Sequence, residues 1–276
     1  MRIKSPLIIS VLKYFYKFIF LKKIINYSLS FIFGNKIYRR IATNNYSSKK
    51  IGIGEKNRYG IDSSWITVDL EGADYNIDFR KQASLAIPNS SINLIYSSHV
   101  TEHLDNECLN NIFNFCYRVL SKNGVLRIET PDILKIIYAY RNNDKSFFYN
   151  LMSKTEKANT TVDKIFIGLL SCYIENDKHI PVSFNHKQML SKLSSLNDIE
   201  FANWAVSLQS DQQIRTGGHI NPMYFDKIKG LLIKAGFSKI YQASTGKSNS
   251  SLMENELSGI ERKHRNFYSL IIEAVK

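Results

Sequence analysis

The chain has 276 residues, 44% hydrophobic and 22% charged, which is enough to bury a sizeable core and too apolar for disorder along its whole length. Its three cysteines, Cys108, Cys116 and Cys172, are odd in number and form no C-x-x-C pair, which argues against a disulfide framework or a cysteine-rich zinc site and for a reducing, cytoplasmic compartment. A formal net charge of +13 suits nucleic acid or an anionic membrane, but no zinc-finger spacing, glycine-arginine segment or aromatic RNA-binding signature accompanies it, so nucleic acid is not an expected partner.

Residues 1–45 are basic and aromatic, with Lys13, Lys17, Lys22 and Lys23 set among Phe15-Tyr16, Phe18-Ile19-Phe20 and Phe31-Ile32-Phe33. The lysines interrupt every apolar run, so the segment does not suit a spanning helix of about 20 apolar residues, and no signal-peptidase site follows it. It reads as an amphipathic helix, with residues 1–33 either lying on an anionic membrane at the inner surface or packed on the protein with the lysines in water.

From residue 46 the pattern becomes short apolar runs alternating with longer helical stretches, the rhythm of a mostly parallel α/β sheet. Strands are expected at 50–53, 65–70, 75–79, 92–97 and 125–130. Between the last two, residues 105–120 place Leu109, Ile112, Phe113, Cys116 and Leu120 at helical spacing, and Asn123-Gly124 reads as the stop. Residues 133–217 lose the rhythm and read as a helical insertion. It resumes with a helix at 222–235, then strands at 239–244 and 269–275, an antiparallel edge hairpin joined by a long loop over 245–266.

Several residues at strand ends carry chemistry. Ile51-Gly52-Ile53-Gly54 closes the first strand, and Gly52 and Gly54 allow a ligand close to the backbone, although the third glycine of a dinucleotide fingerprint is missing. Asp69 closes the second strand, where a carboxylate can accept from ribose hydroxyls. Asp78 is expected to close the third strand, either as an adenine contact or as a turn aspartate. After the fourth strand comes Ser97-Ser98-His99-Val100-Thr101-Glu102-His103, at the carboxyl edge where open α/β sheets bind ligands. The run also spells H-x-x-E-H, an inverted zinc-peptidase motif, but that motif needs both histidines on one helix face and His99 directly follows a strand, so no metal is expected.

Taken together, Ile51–Ile53 with Gly54, Trp65 and Asp69, Asp78, the S-H-x-x-E-H run, Tyr117-Arg118-Val119-Leu120-Ser121-Lys122-Asn123-Gly124 and Leu126-Arg127-Ile128-Glu129-Thr130-Pro131-Asp132 resemble the class I methyltransferases often encoded with surface-polysaccharide or lipopolysaccharide genes. Gly218-His219-Ile220, Ala235-Gly236-Phe237 and the ending Ser269-Leu270-Ile271-Ile272-Glu273-Ala274 extend the resemblance over most of residues 46–276. Thr101 stands where the family usually has leucine, and the loop 55–61 is more charged than the pattern. The resemblance implies a Rossmann-like methyltransferase sheet and S-adenosyl-L-methionine as cofactor, with Gly52 and Gly54 at its methionine end, Asp69 at the ribose, Asp78 at the adenine and Ser97 on the pocket floor. It also implies a sugar or other small envelope-associated acceptor. His99 and His219 are the candidate bases at the acceptor end. The competing reading is a methyltransferase-fold protein without catalysis, acting as an interaction module at a membrane surface.

Overall fold

The computed structural model describes residues 49–55, 64–81, 85, 87–150, 161–171, 185–215, 217–261 and 265–276; the expected helix within 1–45 and residues 56–61 of the charged loop lie outside them. Contacts divide the chain into Met1–Ser47 with Ala86–Pro88 as one unit, and Ser48–Leu85 with Asn89–Lys276 as the other. All elements named below belong to the second unit. No helix of the described residues is long and apolar enough to cross a membrane.

Strands β1 (Lys50–Ile53), β2 (Ile66–Asp69), β3 (Tyr75–Asn76), β4 (Ile92–Ser98), β5 (Leu120–Pro131), β6 (Lys239–Gln242) and β7 (Ser269–Val275) form one sheet in the order β3-β2-β1-β4-β5-β7-β6. The first five are mutually parallel, and β7 runs antiparallel to both β5 and β6. This is the Rossmann-like sheet of the class I methyltransferase kind, with its antiparallel C-terminal hairpin. The order turns back between β1 and β4, which register as Ile53 opposite Ser97, so the crevice of a doubly wound sheet opens there.

Helix α1 (Asn106–Val119) is capped by Asp105, whose side chain accepts from the Cys108 amide, and its apolar stripe gives the seven buried residues from Cys108 to Val119. Residues 133–217 supply α2 (Ile133–Arg141), α3 (Lys145–Tyr149), α4 (Val162–Ser171), α5 (His186–Ser195), α6 (Asp198–Ser207) and α7 (Asp211–Arg215). These helices have their own core, in which Phe166 stacks on Tyr140 at 4.0 Å and on Phe201 at 5.6 Å. Helix α8 (Phe225–Lys234) then packs against α1.

Three expectations are corrected. The third strand ends at Asn76, so Asp78 sits in the following turn rather than closing the strand. Strand β5 begins at Leu120, and Asn123 is inside it at φ +64 rather than ending a helix. The supposed loop 245–266 contains α9 (Ser251–Ile260), capped by Ser250, whose Met253, Leu257 and Ile260 bury against Trp65, Leu94, Tyr96 and Val125. Its Glu256 also accepts from Lys50 Nζ at 2.9 Å and from Trp65 Nε1 at 3.1 Å.

Under α9 lies a buried charge network. Arg127, fully buried in β5, pairs with Glu273 at 2.5 Å and with Glu261, and donates to the Ser244 and Lys247 carbonyls at 3.1 Å. Removing one partner of such a network strands the other charges away from water. Arg127→Met is expected to cost about 3–5 kcal/mol in urea unfolding, and adding Glu273→Leu should recover part of it. Two residues along, burial first and then the Glu261 charge push the Glu129 carboxyl above the usual carboxylate range, against the pull of Arg127. A folded pKa above the unfolded one gives stability that is present at low pH and lost as pH rises. Glu129→Gln is therefore expected to stabilise the chain at pH 8, with the gain over wild type shrinking as pH approaches the ordinary glutamate value; equal differences at both ends of that range would contradict it.

Candidate functional site

The sheet's turning point gathers several of the residues singled out in the sequence. Gly52 is buried in β1 between Thr67 of β2 and Tyr96 of β4. Gly54, just past the strand, has φ +78, a conformation that only glycine adopts without strain, and its amide donates to the Val68 carbonyl at 2.8 Å. A Cβ there would come within 2.1 Å of Val100 Cγ2. The two carboxyl ends of β1 and β4 are thus drawn together. Ser97 is buried beside Ile53, and Asp69 ends β2 half-exposed, one residue beyond the Ile53–Val68 pair. Glu55, the one described residue of the charged loop 55–61, is fully buried rather than solvated.

Asp78, in the turn after β3, is held by its neighbours. Arg80 donates to it from Nε at 2.8 Å, from a terminal nitrogen at 3.1 Å and from its backbone amide at 3.1 Å, with Lys81 at 3.6 Å. The side-chain bond from Arg80 is the main cause that holds its carboxyl below the usual range.

On the other side of Val100 stands a cluster of one carboxylate and three imidazoles. His99 has φ +54, an uncommon left-handed conformation for a residue with a Cβ. That turn, with the His99 amide bonded to the Glu129 carbonyl at 2.8 Å, swings the ring onto two partners. Its Nδ1 meets Glu102 Oε1 at 3.1 Å and its Nε2 meets Ser269 Oγ at 3.2 Å, beside the Tyr268 ring. Glu102 and His103 lie on the 3-10 turn Thr101–His103. The other Glu102 oxygen accepts from Thr130 Oγ1 at 3.1 Å, and the Glu102 backbone carbonyl accepts from the amides of Ile220 and Asn221. His103 Nδ1 faces the Gly218 carbonyl at 3.1 Å, which assigns the ring hydrogen to that nitrogen and turns Nε2 toward Glu102.

His219 is brought to the same carboxylate by the chain returning from the insertion. The His219 amide donates to the Ser171 carbonyl, Gln209 Nε2 donates to the His219 carbonyl at 2.6 Å, and His219 Nε2 lies 3.9 Å from Glu102 Oε1. Burial, outweighing the attraction of Glu102, lowers His219 to about 4, so the ring is neutral near pH 7. Burial works against the charge of Glu102 too, but the bond from His99 and the three imidazoles around it prevail and hold the carboxyl at about 2. The structure therefore joins His99, His219 and the Glu102-His103 pair. The Glu102–His219 meeting joins residues far apart in the chain, which no local pattern reveals; the H-x-x-E-H run is the one signal of it in the sequence, and residues 99–103 do not form the helix that motif needs.

No family model matches the chain, and no curated protein matches it. Among solved structures, it is similar to a SAM-dependent methyltransferase from Archaeoglobus fulgidus at 16% identity, covering 95% of this chain and 100% of that one with a TM-score of 0.38. A S-adenosylmethionine-dependent methyltransferase from Mesorhizobium loti matches at 11% identity, 86% and 95% coverage and a TM-score of 0.39. A SAM-dependent methyltransferase described as a possible histamine N-methyltransferase, from Thermotoga maritima, matches at 13% identity, 93% and 96% coverage and a TM-score of 0.38.

The Gly54–Val100 contact yields a direct test of how the crevice is built. Gly54→Ala is expected to destabilise the chain by about 2–4 kcal/mol, the sum of a left-handed alanine and an overpacked contact. Val100→Ala in the same chain should restore the steric part only, as read by urea unfolding. No recovery would mean that Val100 is not what Gly54 accommodates.

Proposed function

We propose that the chain is an S-adenosylmethionine-dependent methyltransferase whose acceptor is a sugar or other small polar molecule of the cell envelope. The observation that carries the cofactor half is the arrangement at the β1–β4 turning point, where left-handed Gly54, buried Ser97 and Asp69 at the end of β2 stand around one crevice. That donor set fits a nucleoside with a charged tail: a carboxylate for ribose hydroxyls, backbone amides at a glycine turn, and a small hydroxyl side chain at the floor. Asp78, which accepts three bonds from Arg80, keeps acceptor capacity for an adenine amine.

The acceptor half rests on the resemblance of the S-H-x-x-E-H run and on the polarity of the Glu102, His103 and His219 cluster, which suits a hydroxyl-bearing acceptor better than an apolar one. S-adenosylmethionine supplies a methyl group already activated on a sulfonium, so the protein's part is alignment of the acceptor and removal of its proton. His99, with both ring nitrogens engaged, acts in this reading by orienting Glu102. His219, neutral and buried, stands at the acceptor end.

Calorimetry on the purified chain tests the cofactor half. S-adenosylmethionine should bind, and Asp69→Ala should weaken it by about 1–2 kcal/mol, roughly five- to thirtyfold. Equal affinity in the variant would remove Asp69 from the ribose. A folded chain that binds no S-adenosylmethionine, or binds NAD as well, would overturn the reading.

A further inference from the structure

We infer that Glu102, His103 and His219 form a binding site for a divalent transition-metal ion. Each offers one ligand atom, and the three atoms lie within 4.8 Å of one another. The separations between them point to an ion. His103 Nε2 and His219 Nε2 each stand 3.9 Å from Glu102 Oε1, too far for a hydrogen bond, and three polar side chains converge there without bonding directly along these two edges. Ligand atoms at about 2.0–2.2 Å from a tetrahedral metal lie about 3.4 Å apart. Closing the site takes a contraction of about half an ångström along the two edges to Glu102 and of at most about 1.4 Å between the two imidazole nitrogens, which rotations of the two histidine side chains supply.

The surroundings are those of an oriented ligand set. Metal-binding imidazoles usually give their second nitrogen to a carbonyl or carboxylate, which fixes the ring and its tautomer. His103 does so through Nδ1 and the Gly218 carbonyl, and the His219 ring has a hydrogen bond with the Leu170 backbone. The carboxylate is held by His99 on one oxygen and Thr130 on the other. The segment carrying His219 is tied to the turn carrying Glu102 by the Ile220 and Asn221 amides, and by Asn221 Nδ2 on the Leu104 carbonyl at 2.8 Å. The site is thus assembled from the turn after β4 and the chain returning from the insertion.

This arrangement differs from the zinc-peptidase motif spelled by the same letters. There His99 and His103 would share a helix face; here His99 holds Glu102, and His219 takes the place of the second histidine. Two imidazoles and one carboxylate suit Zn²⁺, Fe²⁺, Co²⁺ or Mn²⁺. Three protein ligands leave positions open, as catalytic rather than structural sites do, and His103, about a third exposed in its side chain, leaves a way in from solvent. Glu102 lies two residues beyond Val100, the residue that faces Gly54 at the β1–β4 crevice. The use of the ion rests on the methyltransferase reading: as a Lewis acid it would bind the acceptor hydroxyl and lower its pKa, so the proton leaves to water without a histidine base. The binding site itself does not rest on that reading.

The test is metal binding by the full chain, stripped with chelator and titrated with Co²⁺, whose visible absorption reports nitrogen and oxygen ligands; metal content after loading with Zn²⁺, Mn²⁺ or Co²⁺ and gel filtration gives the stoichiometry. One ion per chain is expected. His103→Ala and His219→Ala should each weaken binding by about tenfold or more, the scale on which even supporting residues act. His186→Ala, in the remote His186–Asp163 pair, should leave it unchanged. Far-ultraviolet dichroism of the variants identifies any that fail to fold, and His103→Gln, at the most exposed of the three ligands, then serves as the milder probe. No retained metal in the wild-type chain, or wild-type affinity in the folded variants, would overturn the site. S-adenosylmethionine binding measured on the stripped chain is a separate readout, so loss of one reading leaves the other standing.

Discussion

The Glu102 carboxylate is 2% exposed and still charged, and it can remain so only because three separate parts of the chain face it with polar groups. A buried charge without partners costs several kcal/mol. His99, from the turn after β4, and Thr130, from the end of β5, each supply a hydrogen bond, and His219 arrives from the end of the insertion. The main chain repeats the connection, since the Glu102 carbonyl takes the amides of Ile220 and Asn221. The return of the chain at His219–Asn221 to the turn after β4 is therefore coupled to one ionised group. The left-handed backbone of His99 belongs to the same constraint, because that conformation turns the imidazole toward both Glu102 and Ser269.

A second buried charge, Arg127, organises the sheet under α9 on similar terms. Within the β5 run Val125–Thr130, the stretch Leu126-Arg127-Ile128-Glu129 alternates apolar and polar residues, the pattern of a strand with one wet face. Every one of those residues is buried. Arg127 is covered by 244–261, whose Ser244 and Lys247 carbonyls and Glu261 carboxylate meet it, while Glu129 accepts from Ser98 and Thr130 donates to Glu102. Alternation thus reports which residues need polar partners, and says nothing about whether water is the partner.

That distinction explains how far the fold was legible. Strands β1, β4 and β7 were readable because each is a run of Ile, Val or Leu bounded by polar turns, and their ends agree with the structure within a residue. Helix α1 was readable from its cap and stripe. Helix α9 was not, because its buried face is only Met253, Leu257 and Ile260 among Ser, Glu and Asn, too short a stripe to stand out from a polar loop. Asn123-Gly124 misled in the other direction: a left-handed Asn occurs at helix ends, and here it makes an irregular start to β5. The site shows the same division. Gly54, Asp69 and Ser97 could be placed because strand ends fix where their backbones go, whereas the partners of Asp78 and Glu102 depend on side chains from other segments, which no local pattern reveals.

The three imidazoles around Glu102 are chemically alike and structurally unequal, and their differences limit what each can do. A general base must hold a lone pair within reach of the proton it takes. His99 has both nitrogens occupied and its ring set between Glu102, Ser269 and Tyr268, which suits it to fixing the carboxylate. His219 keeps a neutral ring, but its Nε2 points at Glu102 from a buried position. His103 is the most open of the three, with the nitrogen toward Glu102 set by the Gly218 carbonyl behind it. A proton leaving an acceptor at this edge would therefore meet a constellation rather than a single base, with Glu102 supplying the charge and the histidines dividing orientation from access. Such a division favours chemistry in which the acceptor oxygen is positioned and polarised by several groups at once, and for a reaction whose methyl donor is already activated, positioning is the larger part of the task.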